Sequence, residues 1–214
     1  MDIDKKTVQY YSHSRPEMAE FIPLTAKKIL DVGCGKGHFA SQFKGKMETW
    51  GIEIDPEMAK FAQTNLDKVL VGDALEKMNQ LPDSYFDCII FNDVLEHTLD
   101  PYSILKQIKN KLSPDGIIIC SIPNIRHISV LKMLFIDKQW KYTNFGIMDK
   151  THFRFFTRKS LADMFNDAGY EILKMQGING TSWWKFYPLN ILALGSLSDA
   201  RYIQFACAAK PRKS

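Results

Sequence analysis

The sequence predicts an α/β fold, a mostly parallel seven-stranded sheet with helices on both faces. Three observations carry this reading. The run Lys28-Ile29-Leu30-Asp31-Val32 is a short buried-strand pattern that passes through Gly33, Gly35 and Gly37 into a helical segment starting at His38. The runs at 86–91 and 117–122 are apolar almost without alternation, as in strands of a parallel sheet buried on both faces. Helix-start signals stand between the strand patterns, Asp55-Pro56 and Thr157 among them. The chain has 214 residues, 45% of them hydrophobic, which suits one α/β domain with decorations. No internal repeat or low-complexity linker marks a second domain.

Residues 1–27 form a helical preamble, with Ser14 placed to cap a helix whose first turn holds Pro16. The domain proper spans 28–214. Its second strand, 48–54, ends in the acid Glu53, and Asp55 and Pro56 open the next helix. A third strand, 68–71, leads into Gly72-Asp73-Ala74. The fourth, 86–91, exits at Asn92-Asp93-Val94-Leu95-Glu96-His97. A helix at 101–112, the turn Ser113-Pro114-Asp115-Gly116 and a fifth strand at 117–122 follow. The segment 124–156 is an insert in which aromatic and charged residues alternate. A helix at 159–168 closed by Gly169, a sixth strand at 170–176, an aromatic run at 183–188 and a last strand at 202–208 complete the chain.

The net charge of +4 is modest and the basic residues are scattered, so no nucleic acid is expected as partner. The tail Lys210-Pro211-Arg212-Lys213 reads as a solvated terminus. Cys34, Cys88, Cys120 and Cys207 have no metal or redox spacing, and no secretory signal or long apolar span precedes the fold, so a reducing cytoplasm is expected.

The turn after the first strand presents backbone N–H groups at a helix start, an anion- and nucleotide-binding geometry. A dinucleotide fingerprint would need glycine where His38 stands. The pattern Asp31-x-Gly33-x-Gly35-x-Gly37 instead resembles motif I of the class I S-adenosylmethionine (SAM) methyltransferases. "FDCIIFNDVLEH", "LSPDG" and "SIPN" are similar to that family in order and spacing. Arg126-His127 and the stretch 149–154 look like those of bacterial methyltransferases encoded with glycosyltransferases. The resemblance covers nearly the whole chain and implies a Rossmann-like fold with SAM as cofactor and S-adenosylhomocysteine as product.

Carried onto this sequence, the resemblance makes Asp31, Gly33, Cys34, Gly35 and Gly37 the cofactor loop. Glu53, with Ile54 beside it, lies where the ribose hydroxyls bind, at the open end of the sheet. Asp73 and Ala74 would meet the adenine. Asn92, Asp93 and Val94 would flank the methyl group. Tyr10, Tyr11 and Arg15 would form a lid, with Arg15 near the cofactor carboxylate. The insert would recognise the acceptor through Arg126, His127 and Arg154. A hydroxyl acceptor needs a base, for which His97 and His152 are the candidates, weighed against structural roles for both. No metal is expected, because acids and histidines show no close paired-ligand spacing.

The expected acceptor is a small polar molecule, a sugar or glycan-precursor hydroxyl or amine. The run 183–187 offers a weak membrane-surface contact for a lipid-linked acceptor, or packs inside. A monomer or homodimer is expected. The competing readings are a methyltransferase acting on RNA or protein and a cofactor-binding partner subunit without turnover. The first lacks an Asn/Asp-Pro-Pro-aromatic run after the fourth strand, and the second would show erosion of motif I or Glu53.

Overall fold

The structure, a computed structural model, describes residues 15–184 and 186–212. Its strands are β1 (Lys28–Val32), β2 (Glu48–Glu53), β3 (Lys68–Val71), β4 (Phe86–Asn92), β5 (Leu112–Pro123), β6 (Tyr170–Gly180) and β7 (Tyr202–Pro211). Its helices are α1 (Pro16–Ala19), α2 (His38–Ser41), α3 (Pro56–Asn65), α4 (Ala74–Met78), α5 (Pro101–Ile108), α6 (Ile128–Phe135), α7 (Arg158–Asp167) and α8 (Phe186–Leu192).

The seven strands form one sheet in the order β3-β2-β1-β4-β5-β7-β6. The first five pair in parallel, whereas β7 runs antiparallel to both β5 and β6. The sheet is therefore mixed: β7 alone runs against the other six strands, so the sheet is mostly but not wholly parallel, as expected. The reason lies in the connection. After β6 the chain stays at one end of the sheet through 181–201, and Gly180 faces Tyr202 in the register where it returns. Only a crossover to the far end could have made β7 parallel.

Alternate residues of the central strands feed two cores. Leu30 and Val32 of β1, Ile89 and Phe91 of β4, and Ile118, Cys120 and Ile122 of β5 pack with Ile104, Leu105 and Ile108 of α5 and Leu161, Met164 and Phe165 of α7. Ile29, Ile90, Ile117 and Ile119 face the opposite side, against Met18 of α1, Phe39 and Ala40 of α2 and Ala62 of α3. This period of two explains why the strands read as continuous apolar runs. It also shows that the described part of the preamble is built into a core, since Met18, Phe21, Ile22 and Ala26 are all buried.

The helix starts follow local chemistry. Asp55 caps α3 by accepting from the N–H groups of Glu57 and Met58, with Pro56 at the first helical position. Thr157 and Ser160 form a reciprocal capping box on α7, and Gly169 follows at φ 83°. The α1 helix starts from Arg15 in a left-handed conformation without a side-chain cap, and Ser14 lies outside the described residues. The predicted turn 113–116 is a bulge within β5: Phe86 pairs with Leu112 while Cys88 pairs with Ile117. The helix expected to reach residue 112 ends at Ile108 and continues as a 3₁₀ turn, Lys109–Lys111.

Tyr170 is fully buried at the start of β6 and donates its hydroxyl to the Leu105 carbonyl at 2.7 Å. Tyr170→Phe leaves that carbonyl without its partner and is expected to cost about 1–2 kcal/mol in urea denaturation, with an unchanged m-value and unchanged ligand binding.

Candidate functional site

A cavity of about 770 Å³ opens where β1, β2 and β4 end. Its cofactor side is the loop after β1. Asp31, Gly33, Cys34, Gly35, His38 and Phe39 line it, with Glu53 and Ile54 from the end of β2. The opposite wall is Asn92, Asp93 and Val94 after β4, then His97 and Thr151. Arg15, Glu17, Asn179 and Gln204 close the rim. A volume of this size suits a cofactor-sized ligand.

Backbone contacts hold the loop. The N–H groups of Gly33 and Cys34 both donate to the Ile52 carbonyl of β2. Gly33 has φ 71°, and a Cβ there would stand 2.6 Å from Cγ2 of Val94, so only glycine lets the loop lie against the exit of β4. Glu53 is buried and accepts from Gly35 N–H at 2.7 Å and from Asp55 N–H at 2.8 Å, one bond on each oxygen. Each oxygen keeps a second lone pair for a ligand hydroxyl.

The charge balance of the walls is negative, with Glu17, Asp31, Glu53 and Asp93 against Arg15. Burial pushes the Asp31 carboxyl up to about 7; Arg15 opposes that shift and Glu53 adds to it. Burial also raises the Cys34 thiol, and all four cysteines are free and buried. A cavity so charged favours a cationic ligand. The amide of Asn92 offers a second test of fit: both its polar side-chain atoms are buried in the cavity wall without a hydrogen-bond partner among the described residues. Such a group is explained by a ligand with matching donors and acceptors.

Asp93 is used by the protein itself. At φ 55° it accepts from Arg15 Nη1 at 2.9 Å, Ser121 Oγ at 2.9 Å and Gln204 Nε2 at 2.7 Å. Gln204 in turn accepts from Asn179. Sequence reasoning missed Ser121, Asn179 and Gln204. Ser121 and Gln204 gave one signal, a polar side chain inside an otherwise apolar strand, and Asn179 gave none; neither reveals which strands become neighbours.

Several expected site residues lie elsewhere. Asp73 caps α4 through the N–H groups of Leu75 and Glu76, and neither Asp73 nor Ala74 lines the cavity. Gly37, at φ 78°, packs against Leu66 and Ala62 at the start of α2. Arg126 pairs with Asp199 at 3.0 Å and donates to the Ser196 carbonyl, on the wall of a separate cavity of about 630 Å³. His127 caps α6. Arg154 donates to the Leu99 carbonyl. Tyr10 and Tyr11 lie outside the described residues.

The fold brings together an acid and two histidines that no close spacing in the sequence links. Phe153 and Arg154 donate their backbone N–H groups to the Glu96 carbonyl, which draws the insert onto the 3₁₀ turn Leu95–His97. The rings of His97 and His152 meet edge to face with centroids 4.6 Å apart. Ligand atoms of Glu96, His97 and His152 all lie within 4.8 Å of one another. The Glu96 carboxyl is raised well above its usual range, first by burial and then by Asp93, and burial lowers His152. His152 does not itself line the large cavity.

Of the insert aromatics, Phe156 is buried in the core and Phe155 is half-buried, but the others are not core. Trp140, Tyr142, Phe145 and Phe153 are exposed, and Trp140 and Tyr142 stack on Phe155. In the second aromatic segment Phe186 is buried, while Trp183, Trp184, Tyr187, Ile191 and Leu192 are exposed, so interior packing does not explain that run. Among the described residues no helix is long and apolar enough to cross a membrane.

A sheet of this order, with a glycine loop at the end of β1 and an acid at the end of β2, is the arrangement that the resemblance to SAM-dependent methyltransferases implied. The chain belongs to the methyltransferase domain family, whose profile matches residues 4–175. It is similar to the ubiquinone biosynthesis O-methyltransferase of Aeromonas salmonicida, 30% identical over 190 residues that cover 84% of this chain and 76% of the relative. A tRNA U34 carboxymethyltransferase of Photorhabdus laumondii is 31% identical over 133 residues, 53% of this chain and 41% of that one. A SAM dependent methyltransferase from Archaeoglobus fulgidus shares the fold, with a TM-score of 0.70, 22% identity and coverage of 95% and 93% of the two chains. These names give no support to the sugar or glycan acceptor expected from the sequence.

Two outcomes are expected. Glu53→Ala removes two charge-assisted bonds from the loops as well as a ligand acceptor. It should weaken S-adenosylhomocysteine binding at least about tenfold by calorimetry and also lower the melting temperature. Asp31 titrates at about 7 in the fold against an ordinary 3.8. A raised carboxyl favours the protonated fold, so Asp31 penalises stability progressively from about pH 4 to pH 7 and fully above that. Asp31→Asn should therefore stabilise the ligand-free protein by about 2–4 kcal/mol at pH 8 and by little at pH 4, read from denaturation at both values.

Proposed function

We propose that the protein methylates a hydroxyl oxygen of a small molecule. The observation that carries this reading is the division of one cavity into two chemically different ends. The end made by the β1 loop, Glu53 and Ile54 suits the nucleoside of the cofactor. The other end, made by Asn92, Val94, His97 and Thr151, suits the acceptor. When bound, SAM supplies an electrophilic methyl group whose sulfur leaves as a neutral thioether while the acceptor oxygen bonds to carbon and gives up its proton.

The work of the chain is orientation and exclusion of water. Glu53 holds the glycine loop and accepts ribose hydroxyls. Asp31 adds negative charge opposite the sulfonium and ammonium groups. Asn92 supplies an unpaired amide. His97 stands at the acceptor end, where an acceptor proton must depart. The exposed rings of Trp140 and Tyr142 meet the half-buried Phe155, which adjoins His152, and this aromatic surface favours an acceptor with an apolar ring face. An oxygen acceptor is further supported by the relatives named for O-methylation in ubiquinone biosynthesis.

The test is turnover of methyl-labelled SAM with a panel of phenols, dihydroxybenzenes, nucleotide sugars and transfer RNA. Label is expected on a hydroxylated aromatic, and His97→Ala is expected to reduce turnover by about 10²-fold or more with cofactor affinity retained. Label on RNA alone, or on nitrogen, would overturn the reading.

A further inference from the structure

We propose that Glu96, His97 and His152 bind a divalent first-row transition-metal cation at the acceptor end of the cavity. Their ligand atoms lie within 4.8 Å of one another, although His152 is remote in sequence from the other two. The relative exposure of Glu96 is 1%, and neither carboxylate oxygen has a hydrogen-bond partner among the described residues. A buried carboxylate with no partner costs several kcal/mol, and a cation is the partner that removes most of that cost.

The histidines are oriented as ligands. His152 Nδ1 lies 3.1 Å from the Ile147 carbonyl. A carbonyl can only accept, so Nδ1 carries the proton and Nε2 keeps the lone pair. His97 Nδ1 lies 3.3 Å from the Thr151 carbonyl and 3.1 Å from the Thr151 hydroxyl. That hydroxyl donates to Asp149 Oδ1 at 2.7 Å, so it accepts from His97. Both rings thus use Nδ1–H on the surrounding protein and leave Nε2 free. An outer contact of this kind, to a backbone carbonyl or through a hydroxyl to a carboxylate, is the usual support of a metal-binding imidazole.

The donor set selects the cation. Two imidazoles and one carboxylate suit zinc, iron or cobalt in the divalent state, whereas magnesium and calcium take oxygen ligands. Three protein ligands leave coordination positions open. His97 lines the large cavity, so those positions adjoin the acceptor end. Resting on the methyltransferase reading above, the acceptor class narrows to molecules that offer oxygen donors, vicinal hydroxyls above all. A hydroxyl on such a cation loses its proton to solvent near neutral pH, which a lone histidine achieves less readily.

The experiment uses the full chain, stripped with chelator and titrated with Co²⁺ and with Zn²⁺. Calorimetry gives stoichiometry, Co²⁺ absorption reports nitrogen and oxygen ligation, and S-adenosylhomocysteine binding is measured in parallel. One equivalent of Co²⁺ or Zn²⁺ per chain is expected. Glu96→Gln and His152→Gln should each weaken it at least about tenfold, and Thr151→Val, which keeps all three ligands, by about 10–100-fold. Cofactor affinity should hold in all three variants. A wild-type chain that binds S-adenosylhomocysteine but neither cation overturns the site and leaves the methyltransferase reading standing. Cation binding that survives both ligand substitutions overturns it as well. Cation binding without cofactor binding would overturn the methyltransferase reading and leave the site.

Discussion

The site depends on the two backbone bonds accepted by Glu53. β1 and β2 run parallel with Val32 opposite Ile52, so the loops that leave them emerge side by side. The loop after β1 carries Gly33, Gly35 and Gly37 at positive φ and has little stiffness of its own. Glu53 reaches back to Gly35 and forward to Asp55, tying the loop after β1 to the start of α3. A charged acceptor makes these bonds stronger than a neutral one would. The same negative charge adds to the burial that keeps Asp31 partly protonated near neutral pH. One side chain therefore sets the shape of the cofactor end and biases its electrostatics.

The acceptor end rests on a different network. Asp93 sits at φ 55°, a conformation that non-glycine residues adopt at some cost. Arg15, Ser121 and Gln204 hold it there, from the start of α1, from β5 and from β7. The antiparallel return of β7 is what brings Gln204 beside the end of β4, because Ser121 pairs with Ala206 and Pro123 with Gln204. A parallel seventh strand would put a different residue at that height. The departure from a wholly parallel sheet is thus tied to the geometry of the cavity wall formed after β4.

The cofactor half of the site was legible in the sequence and the acceptor half largely was not. Asp31, the glycine loop and Glu53 are set by local chain geometry: a strand, a turn that needs positive φ, a strand end. Such features leave a pattern within a few residues. Arg15 and Asn92 to Val94 line the same cavity as that pattern. Asp73 and His127 were read as ligand contacts, yet both cap helices, and Arg126 and Arg154 hold the backbone or an internal acid. A polar residue before a helix supports either reading until the fold is known. Ser121, Asn179 and Gln204 converge only through strand pairings, and the Glu96–His97–His152 group only through the docking of the insert.

That docking has a particular economy. The backbone carbonyl of Glu96 accepts both N–H bonds that fix the insert, at 2.9 Å from Phe153 and 3.1 Å from Arg154. Its side chain is the buried carboxylate beside the two histidines. His152 immediately precedes the fixed pair, so its distance from His97 follows from those bonds rather than from the exposed part of the insert. Trp140, Tyr142 and Phe145 face outward on the outer part of the insert, which Thr143 ties back to Met148 and Lys150 through backbone bonds at 2.8 and 2.9 Å. The base of the insert is anchored separately, where Asn124 bridges to Phe156. Glu96 therefore fixes the inner part of the insert against the 3₁₀ turn after β4, and Thr143 couples the aromatic outer part to the same segment.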